Sequence, residues 1–176
     1  MNEQDLIEYA NGDVYTGETF DDDPSGKGKM VYENGDVYEG DWAWGKKHGK
    51  GKMIYANGDI FEGDWRYDDA CGLGTYTCVN GDVYTGNYDM FGPTGYGKAI
   101  YKNGVIYEGN WLDGAYDGPG MYTYANGVIY EGNWKNGKSI GKGTYKYTDG
   151  KIINGIWRKN KFMKNNGKDE YGKKRI

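Results

Sequence analysis

The stretch Tyr32-Glu-Asn-Gly-Asp-Val-Tyr-Glu-Gly-Asp-Trp42 decides the fold, because it recurs along most of the chain. Its Asn-Gly pair returns every 23 residues, and an Asp-Gly pair takes the seventh and last position. The seven pairs are Asn11-Gly12, Asn34-Gly35, Asn57-Gly58, Asn80-Gly81, Asn103-Gly104, Asn126-Gly127 and Asp149-Gly150. A fixed period of this length is typical of repeat proteins, in which each unit packs mainly on its neighbours.

The spacing of the recurring residues predicts β-strands. In the second unit these residues are Gly26, Gly28, Met30, Tyr32, Tyr38, Gly40 and Trp42, all with even numbers. A period of two places them on one face of a sheet. Tyr32 and Tyr38 share that face only if a three-residue loop joins the strands, with Gly35 in the left-handed conformation. We therefore predict an all-β protein, an elongated solenoid-like single antiparallel sheet of consecutive β-hairpins.

The pattern Tyr-x-Asn-Gly-Asp-x-Tyr-Glu-Gly-x-Trp, followed by Gly-x-Gly, resembles the MORN (membrane occupation and recognition nexus) repeat. Seven copies cover residues 1–157, with the first acting as a cap, and residues 158–176 form a basic C-terminal tail or closing cap. The resemblance implies an interaction or dimerisation module, often tied to cytoskeletal or membrane-associated assemblies. It also suggests phosphoinositide contact as an alternative.

Charge is distributed unevenly along the chain. Residues 158–176 contain eight basic and two acidic residues, whereas the first 157 contain 14 basic and 24 acidic residues, a net charge of −10. An anionic body of this kind disfavours nucleic acid and anionic membranes. No signal peptide or membrane-spanning run is apparent, and Cys71 and Cys78 are expected to be reduced, so we expect a cytoplasmic protein.

The sequence offers no set of catalytic residues. The single histidine, His48, is expected in a solvated loop between hairpins, and the repeated Gly-x-Gly pairs precede no helix that would bind phosphate. Aspartates that follow the Asn-Gly pairs are expected to cap turns rather than bind calcium. We therefore predict a protein without enzymatic activity, metal or cofactor.

Candidate binding residues are those that depart from the repeat, since packing residues must recur in every unit. Large side chains replace polar ones mainly in the middle repeats, and exposed apolar groups of this kind typically mark interaction sites. The candidates are Trp44, Tyr67, Met90, Leu73, Tyr96, Phe91 and Tyr116. An acidic rim is expected from Glu39, Glu62, Glu108 and Glu131. The alternative is that the large side chains only pack loops together.

These residues predict a scaffold that binds a basic or amphipathic protein partner, as a peptide, a helix or a second copy of itself. The alternative is an anionic-lipid site in the tail. Its candidate contacts are Lys159, Lys161, Lys164, Lys168, Lys173, Lys174 and Arg175. The acidic body makes the lipid site the weaker of the two hypotheses.

Overall fold

A computed structural model describes residues 5–165 of the chain, and the side chains of residues 5–163. These residues form fifteen strands and no helix. The strands are β1 (Asp5–Glu8), β2 (Val14–Phe20), β3 (Asp23–Val31), β4 (Val37–Ala43), β5 (Lys46–Ile54), β6 (Ile60–Arg66), β7 (Asp69–Thr77), β8 (Val83–Asp89), β9 (Gly92–Ile100), β10 (Ile106–Leu112), β11 (Ala115–Thr123), β12 (Ile129–Lys135), β13 (Lys138–Lys146), β14 (Ile152–Arg158) and β15 (Lys161–Asn165).

The chain divides into two compact units, Met1–Gly92 and Pro93–Ile176. Within each unit, strands that are consecutive in the sequence pair antiparallel. The predicted all-β fold of consecutive antiparallel hairpins is confirmed.

The Asn-Gly turns have the predicted geometry. Tyr32 N donates to Asp36 O at 2.9 Å, and Gly35 N donates to Tyr32 O at 2.9 Å. Gly35 has a φ of 90°, and Met30 lies opposite Tyr38. A three-residue loop with a left-handed glycine therefore keeps the recurring side chains of both strands on one face.

Aspartates link each of these turns to the next hairpin. Asp36 N donates to Asn34 Oδ1 within the turn, while Asp36 Oδ1 accepts a hydrogen bond from Ala56 N, 20 residues later, at 2.8 Å. Asp13 and Asp59 make the same forward contacts. Within the turn the Asn34 side chain accepts the hydrogen bond from Asp36 N, and the Asp36 carboxylate instead accepts one from the next hairpin.

The connections between hairpins differ from the prediction. They are two-residue turns rather than loops, and in most of them both central residues have positive φ, as in type I′ turns. The turns are Asp21-Asp22, Trp44-Gly45, Tyr67-Asp68, Asp113-Gly114, Asn136-Gly137 and Lys159-Asn160. His48 consequently lies in β5 rather than in a loop, because the tight turn lets the strand begin at Lys46. Its ring packs against Tyr67 at 5.1 Å, so the prediction of a solvated loop histidine was wrong.

Edge-to-face ring pairs form the core of the first unit. Tyr38 meets Trp42 of its own strand at 5.0 Å and Trp65 of the next hairpin at 5.2 Å. Tyr15 continues the chain of contacts through Trp42, and Phe61 through Trp65. Such pairs are stabilising beyond the area that they bury. Each hairpin is therefore fixed to its neighbour by a shared aromatic ring.

Glycines make room for these rings. The Tyr38 ring, fully buried, lies directly on Gly51 of the following strand, where an added Cβ would overlap it. Trp65 then donates from Nε1 to Gly51 O at 3.1 Å. This packing of rings on glycine explains why the glycines recur together with the aromatic residues.

The second unit repeats this arrangement with its own rings. Tyr107 packs edge-on against Trp111 at 5.2 Å and Trp134 at 5.6 Å, and Tyr130 contacts Trp134 and Trp157 in the same way. Burial follows the same pattern, since Tyr107 and Tyr130 are both fully buried.

Both ends of the described chain differ from expectation in detail. The first repeat, expected to act as a cap, is extended by β1, which pairs with β2 on the side opposite β3. Beyond Trp157 the sheet continues, because β15 pairs with β14 and the Phe162 ring packs on Trp157 at 5.3 Å.

We expect alkaline pH to destabilise the protein through its buried tyrosines. Burial is the main cause that raises the pKa of Tyr15 and of Tyr84 to about 12. A tyrosine in the unfolded chain has a pKa of about 10, so the unfolded state loses its proton first. The stability from these groups is therefore complete below pH 10 and is lost as the pH rises to 12.

Tyrosinate absorbance and far-ultraviolet circular dichroism, followed together during titration, test this expectation. Most tyrosines should ionise only as the β-sheet signal disappears, whereas the chain in urea should ionise near pH 10. Full ionisation near pH 10 with the sheet signal unchanged would contradict it.

Candidate partner-binding site

Four large apolar side chains lie exposed at successive turns of the first unit. Trp44 is 71% exposed, Tyr67 55%, Met90 70% and Phe91 69%. Trp44 and Tyr67 occupy equivalent positions in the turns β4–β5 and β6–β7, and Met90 and Phe91 follow β8. We call these four residues the turn ladder.

The backbone conformation of the ladder argues against a packing role. Trp44 and Tyr67 have φ values of 50° and 49°. Left-handed backbone strains a bulky residue, and turns of this type prefer Asn, Asp or Gly. The equivalent residues of other turns are the polar residues Asp21, Asp113, Asn136 and Lys159. Two aromatic side chains thus occupy an unfavourable conformation while burying little area, and such violations of local preference concentrate at functional sites.

Acidic residues surround the ladder. Asp68 and Asp69 follow Tyr67, and Asp89 precedes Met90. Asp68 is partly neutralised, since Lys46 Nζ lies 3.8 Å from Asp68 Oδ2 and Lys47 N donates to Asp68 Oδ1. The ladder therefore offers apolar contacts beside carboxylates.

Tyr116 was predicted as a candidate contact but lies inside the second unit. Its ring stacks on Tyr107 at 3.7 Å and meets Trp134 at 5.4 Å, and its hydroxyl shares a hydrogen bond with Tyr101. Burial raises its pKa above that of a free tyrosine. Tyr116 is therefore a packing residue, and its assignment to the binding surface was wrong.

The other predicted residues lie on the polar face, opposite the buried rings. Leu73, Glu39 and Glu62 line a groove of about 1000 Å³ in the first unit, whose floor is the glycine row from Gly28 to Gly74. In the second unit Tyr96, Glu108 and Glu131 line a groove of about 690 Å³. Leu73 is 61% exposed and Tyr96 59%. The structure thus brings these residues together with the predicted glutamates.

Ion pairs order one wall of the first groove. Lys27 Nζ lies 2.5 Å from Asp41 Oδ1, and Lys50 Nζ lies 2.6 Å from Asp64 Oδ1. Burial alone would raise the pKa of Asp41, but hydrogen bonds from Lys27 Nζ and Lys50 N outweigh it and lower that pKa. Asp41 therefore stays ionised and holds the bulged backbone of β5 beside the groove.

Lys47 is a structural feature that the sequence did not reveal. Its Nζ lies over the rings of Trp65, Tyr32 and Tyr38 at 5.0, 5.6 and 5.8 Å. Desolvation lowers its pKa although nearby carboxylates oppose the shift. In the sequence, the only indication was that Lys47 aligns with Tyr116, whose ring occupies the equivalent position in a later repeat.

The tail residues of the lipid hypothesis are only partly described. Lys159 lies in the β14–β15 turn and Lys161 begins β15, both exposed to solvent. The side chains of Lys164, Lys168, Lys173, Lys174 and Arg175 lie outside the described residues.

Between residues 5 and 165, no group of three or more His, Cys, Asp or Glu side chains is arranged to hold a metal ion. That segment also contains no helix with the length and apolar character to cross a membrane.

Comparison with known proteins identifies the repeat. A family model described as the MORN repeat matches residues 15–37, 38–60, 61–83, 107–129 and 130–152, which is 115 of the 176 residues. The chain belongs to the MORN repeat family. The five MORN matches omit residues 84–106, and this interval contains Met90, Phe91 and Tyr96. The other candidates, Trp44, Tyr67, Leu73 and Tyr116, lie within matched repeats.

Solved structures show a related fold. The TCP domain of Drosophila melanogaster SAS-4 (dCPAP), in complex with a proline-rich motif of Ana2 (dSTIL), is 17% identical, with 87% of this chain and 78% of that chain covered and a TM-score of 0.51. The TCP10 domain of Danio rerio CPAP is 16% identical, with 86% and 83% covered and a TM-score of 0.34. No curated protein sequence matches this MORN chain significantly.

Proposed function

We propose that this protein is a non-catalytic interaction scaffold that binds a protein partner through the turn ladder. The observation that carries the proposal is the exposure of Trp44 and Tyr67 in left-handed turn positions that other turns fill with Asp, Asn or Lys. Exposed aromatic residues are also the side chains that most often dominate binding energy.

The spacing of the ladder favours an amphipathic helix as the partner. Equivalent turns are two strands apart, about 9.6 Å at 4.8 Å per strand. Seven residues of an α-helix advance by about 10.5 Å, so apolar residues seven apart on one helix face would meet successive ladder residues. The carboxylates beside Tyr67 and Met90 favour basic residues along the flanks of that helix.

The related fold supports a peptide-binding role in general terms. The SAS-4 TCP domain holds a proline-rich motif of another protein. We therefore propose that this chain is a binding module rather than an enzyme. Its function would then depend on a surface that the repeat fold carries.

Replacing the ladder tests the proposal. The variant Trp44→Asn, Tyr67→Asn, Met90→Ser is expected to reduce partner capture at least about tenfold, with the free energy of unfolding changed by less than about 1 kcal/mol. Asn replaces the aromatic residues because it tolerates left-handed backbone. The measurement is affinity capture from lysate with quantitative mass spectrometry, together with denaturant unfolding.

A matched control removes exposed apolar residues elsewhere. Leu6→Ser, Val79→Ser and Leu112→Ser change side chains that are 64%, 72% and 46% exposed. This control should retain capture. If the ladder variant unfolds, or if both variants lose the same partners equally, the ladder is not the binding site.

Lipid binding, the alternative function, can be tested with the full chain and a truncated chain. Co-sedimentation with phosphatidylinositol-phosphate vesicles should fail for both the full chain and residues 1–165, a truncation that keeps β15. Salt-sensitive sedimentation of the full chain alone would instead assign the membrane contact to the tail.

A further inference from the structure

The six Asn-Gly turns are of two chemical types, which differ in the residue that follows the glycine. In four turns it is an aspartate, namely Asp13, Asp36, Asp59 or Asp82. In the other two it is a valine, Val105 or Val128, and both of these turns belong to the second unit. The asparagine and the glycine are exposed to solvent in all six turns. The fold therefore presents one dipeptide in two different environments.

In the aspartate turns, the carboxylate holds the side-chain amide of the asparagine. Asn34 Nδ2 donates to Asp36 Oδ2 at 3.0 Å. The other carboxylate oxygen is also fixed, since Asp36 Oδ1 accepts a hydrogen bond from Ala56 N at 2.8 Å. The bond from Nδ2 to the carboxylate is made in the same way, at 2.8 to 3.0 Å, by Asn11, Asn57 and Asn80. A hydrogen bond to an ionised acceptor is stronger than one between neutral groups.

The valine turns keep the backbone donor but have no carboxylate. Val105 N donates to Asn103 Oδ1 at 3.1 Å, and Val128 N donates to Asn126 Oδ1 at 3.1 Å. Within the part of the chain that the structure describes, Nδ2 of these two asparagines has no hydrogen-bond acceptor. A valine side chain also has no oxygen with which to link its turn to the next hairpin.

An asparagine that precedes glycine is open to attack by its own backbone, because glycine has no side chain to shield the following nitrogen. In this reaction Gly104 N gives its proton to a base in the solvent and forms a bond to Asn103 Cγ. The bond from Cγ to Nδ2 breaks, and Nδ2 takes up a proton from water and leaves as ammonia. Water then opens the resulting succinimide ring at either carbonyl, which gives aspartate or isoaspartate.

The two types of turn differ in how they affect the charge that develops in this reaction. Negative charge accumulates on Asn103 Oδ1 as the ring closes, and Val105 N already donates to that oxygen, as the donors of an oxyanion hole do. Asp36 N makes the same contact to Asn34 Oδ1, but the Asp36 carboxylate beside the amide opposes a second negative charge. The aspartate turns are therefore electrostatically protected.

Opening of the turn is the second difference. Ring closure requires the glycine nitrogen to leave its acceptor, which is Tyr101 O for Gly104 N at 2.8 Å and Tyr32 O for Gly35 N at 2.9 Å. A turn with additional hydrogen bonds opens less often. The aspartate turns have these additional bonds, and the valine turns lack them.

We propose that Asn103 and Asn126 are sites of spontaneous deamidation, and that the aspartate two residues further along protects the asparagine of the other four turns. This modification goes beyond the proposed scaffold function, and neither proposal depends on the other.

The two products of deamidation have different consequences for the second unit. Aspartate is compatible with the turn, since Asp149 occupies the equivalent position and its Oδ1 accepts a hydrogen bond from Lys151 N at 2.9 Å. Isoaspartate adds a carbon to the backbone of a three-residue loop that Gly104 N closes on Tyr101 O. Isoaspartate at position 103 therefore loosens the hairpin of β9 and β10, and at position 126 that of β11 and β12.

Peptide mapping by mass spectrometry tests the proposal. The full chain is incubated at physiological temperature and mildly alkaline pH, and is then digested with pepsin at acidic pH, where the reaction is slow. Asn103 and Asn126 are expected to convert about tenfold faster than Asn34, Asn57 and Asn80, which is the effect of one charged hydrogen bond on an equilibrium. Equal rates at the five sites would overturn the proposal.

The unfolded chain is the control for local sequence. In guanidinium chloride the Asn-Gly pairs should convert at similar rates, because the aspartates no longer hold the amides. If Asn103 and Asn126 remain faster by the same factor, the difference belongs to the sequence rather than to the fold, and the proposal is wrong.

Two substitutions exchange the protection between turns. Val105→Asp should slow the conversion of Asn103 about tenfold, while Asn126 in the same molecule keeps its rate. Asp36→Val should accelerate Asn34 by a similar factor, while Asn57 keeps its rate and so shows that the first unit remains folded. If Asn57 accelerates as well, the rate of Asn103 in the Val105→Asp variant decides. An unchanged rate there would contradict protection by aspartate.

Discussion

The variant Gly51→Ala is expected to lose about 3 kcal/mol or more of its free energy of unfolding. A Cβ at this position would overlap the Tyr38 ring, which is fully buried and is held between Trp42 and Trp65. Neither the ring nor the β5 backbone has space to move. Because every hairpin depends on its neighbours, the damage should spread through the first unit.

Gly137→Asn is the matched control. Gly137 has a φ of 71°, and no atom lies within 4 Å of its added Cβ. Asp68 and Asn160 occupy the equivalent position with φ values of 78° and 66°. The control should change stability by less than about 0.5 kcal/mol. Urea unfolding followed by circular dichroism measures both, and equal losses would show that glycine is needed for backbone freedom rather than for the ring.

Trp111→Ala is expected to destabilise the second unit by about 3–5 kcal/mol. The side chain is 7% exposed and packs edge-on against Tyr107 at 5.2 Å and Tyr116 at 4.8 Å. Its Nε1 donates to Gly97 O at 3.2 Å, so truncation leaves that carbonyl without this donor as well as leaving a cavity. Denaturant unfolding followed by far-ultraviolet circular dichroism measures the loss.

Trp44→Asn gives the contrast for the same residue type. Trp44 is 71% exposed at a left-handed position, so its loss should change stability by less than about 0.5 kcal/mol. Denaturant titrations of the two variants can be compared directly. A large loss for Trp44→Asn would mean that the turn ladder packs against the protein and does not serve binding.

The fold was predictable because the repeat makes every local signal appear several times. The spacing of two residues between recurring positions placed Met30 and Tyr38 on one face. That placement required the three-residue loop in which Gly35 is left-handed. The type I′ turns between hairpins were not predictable in the same way. Trp44 and Tyr67 are poor turn residues, so propensity indicated loops where sheet register imposes left-handed backbone.

The candidate site was predictable in part. Departure from the repeat correctly selected exposed residues such as Leu73 and Tyr96, but it also selected Tyr116, which is packed. The alternation of side chains along the strand would have shown that Tyr116 is packed. Tyr116 has an even number, as do Gly118 and Gly120, which lie on the ring face. The position of Lys47 in a cluster of rings was not predicted, because lysine is normally a surface residue and the only indication was its alignment with Tyr116.

The aspartates of the Asn-Gly turns give assembly of the first unit a direction. Each carboxylate reaches forward, from Asp13 to Glu33 N, from Asp36 to Ala56 N and from Asp59 to Val79 N. During translation, the turn of each new hairpin therefore donates to an aspartate of a hairpin that has already been synthesised. Shortening the chain from its C-terminus leaves the remaining turns capped, whereas removal of the first hairpin leaves Glu33 N without its acceptor. Engineered arrays of this repeat should accordingly tolerate extension at the C-terminal end better than replacement of the first hairpin.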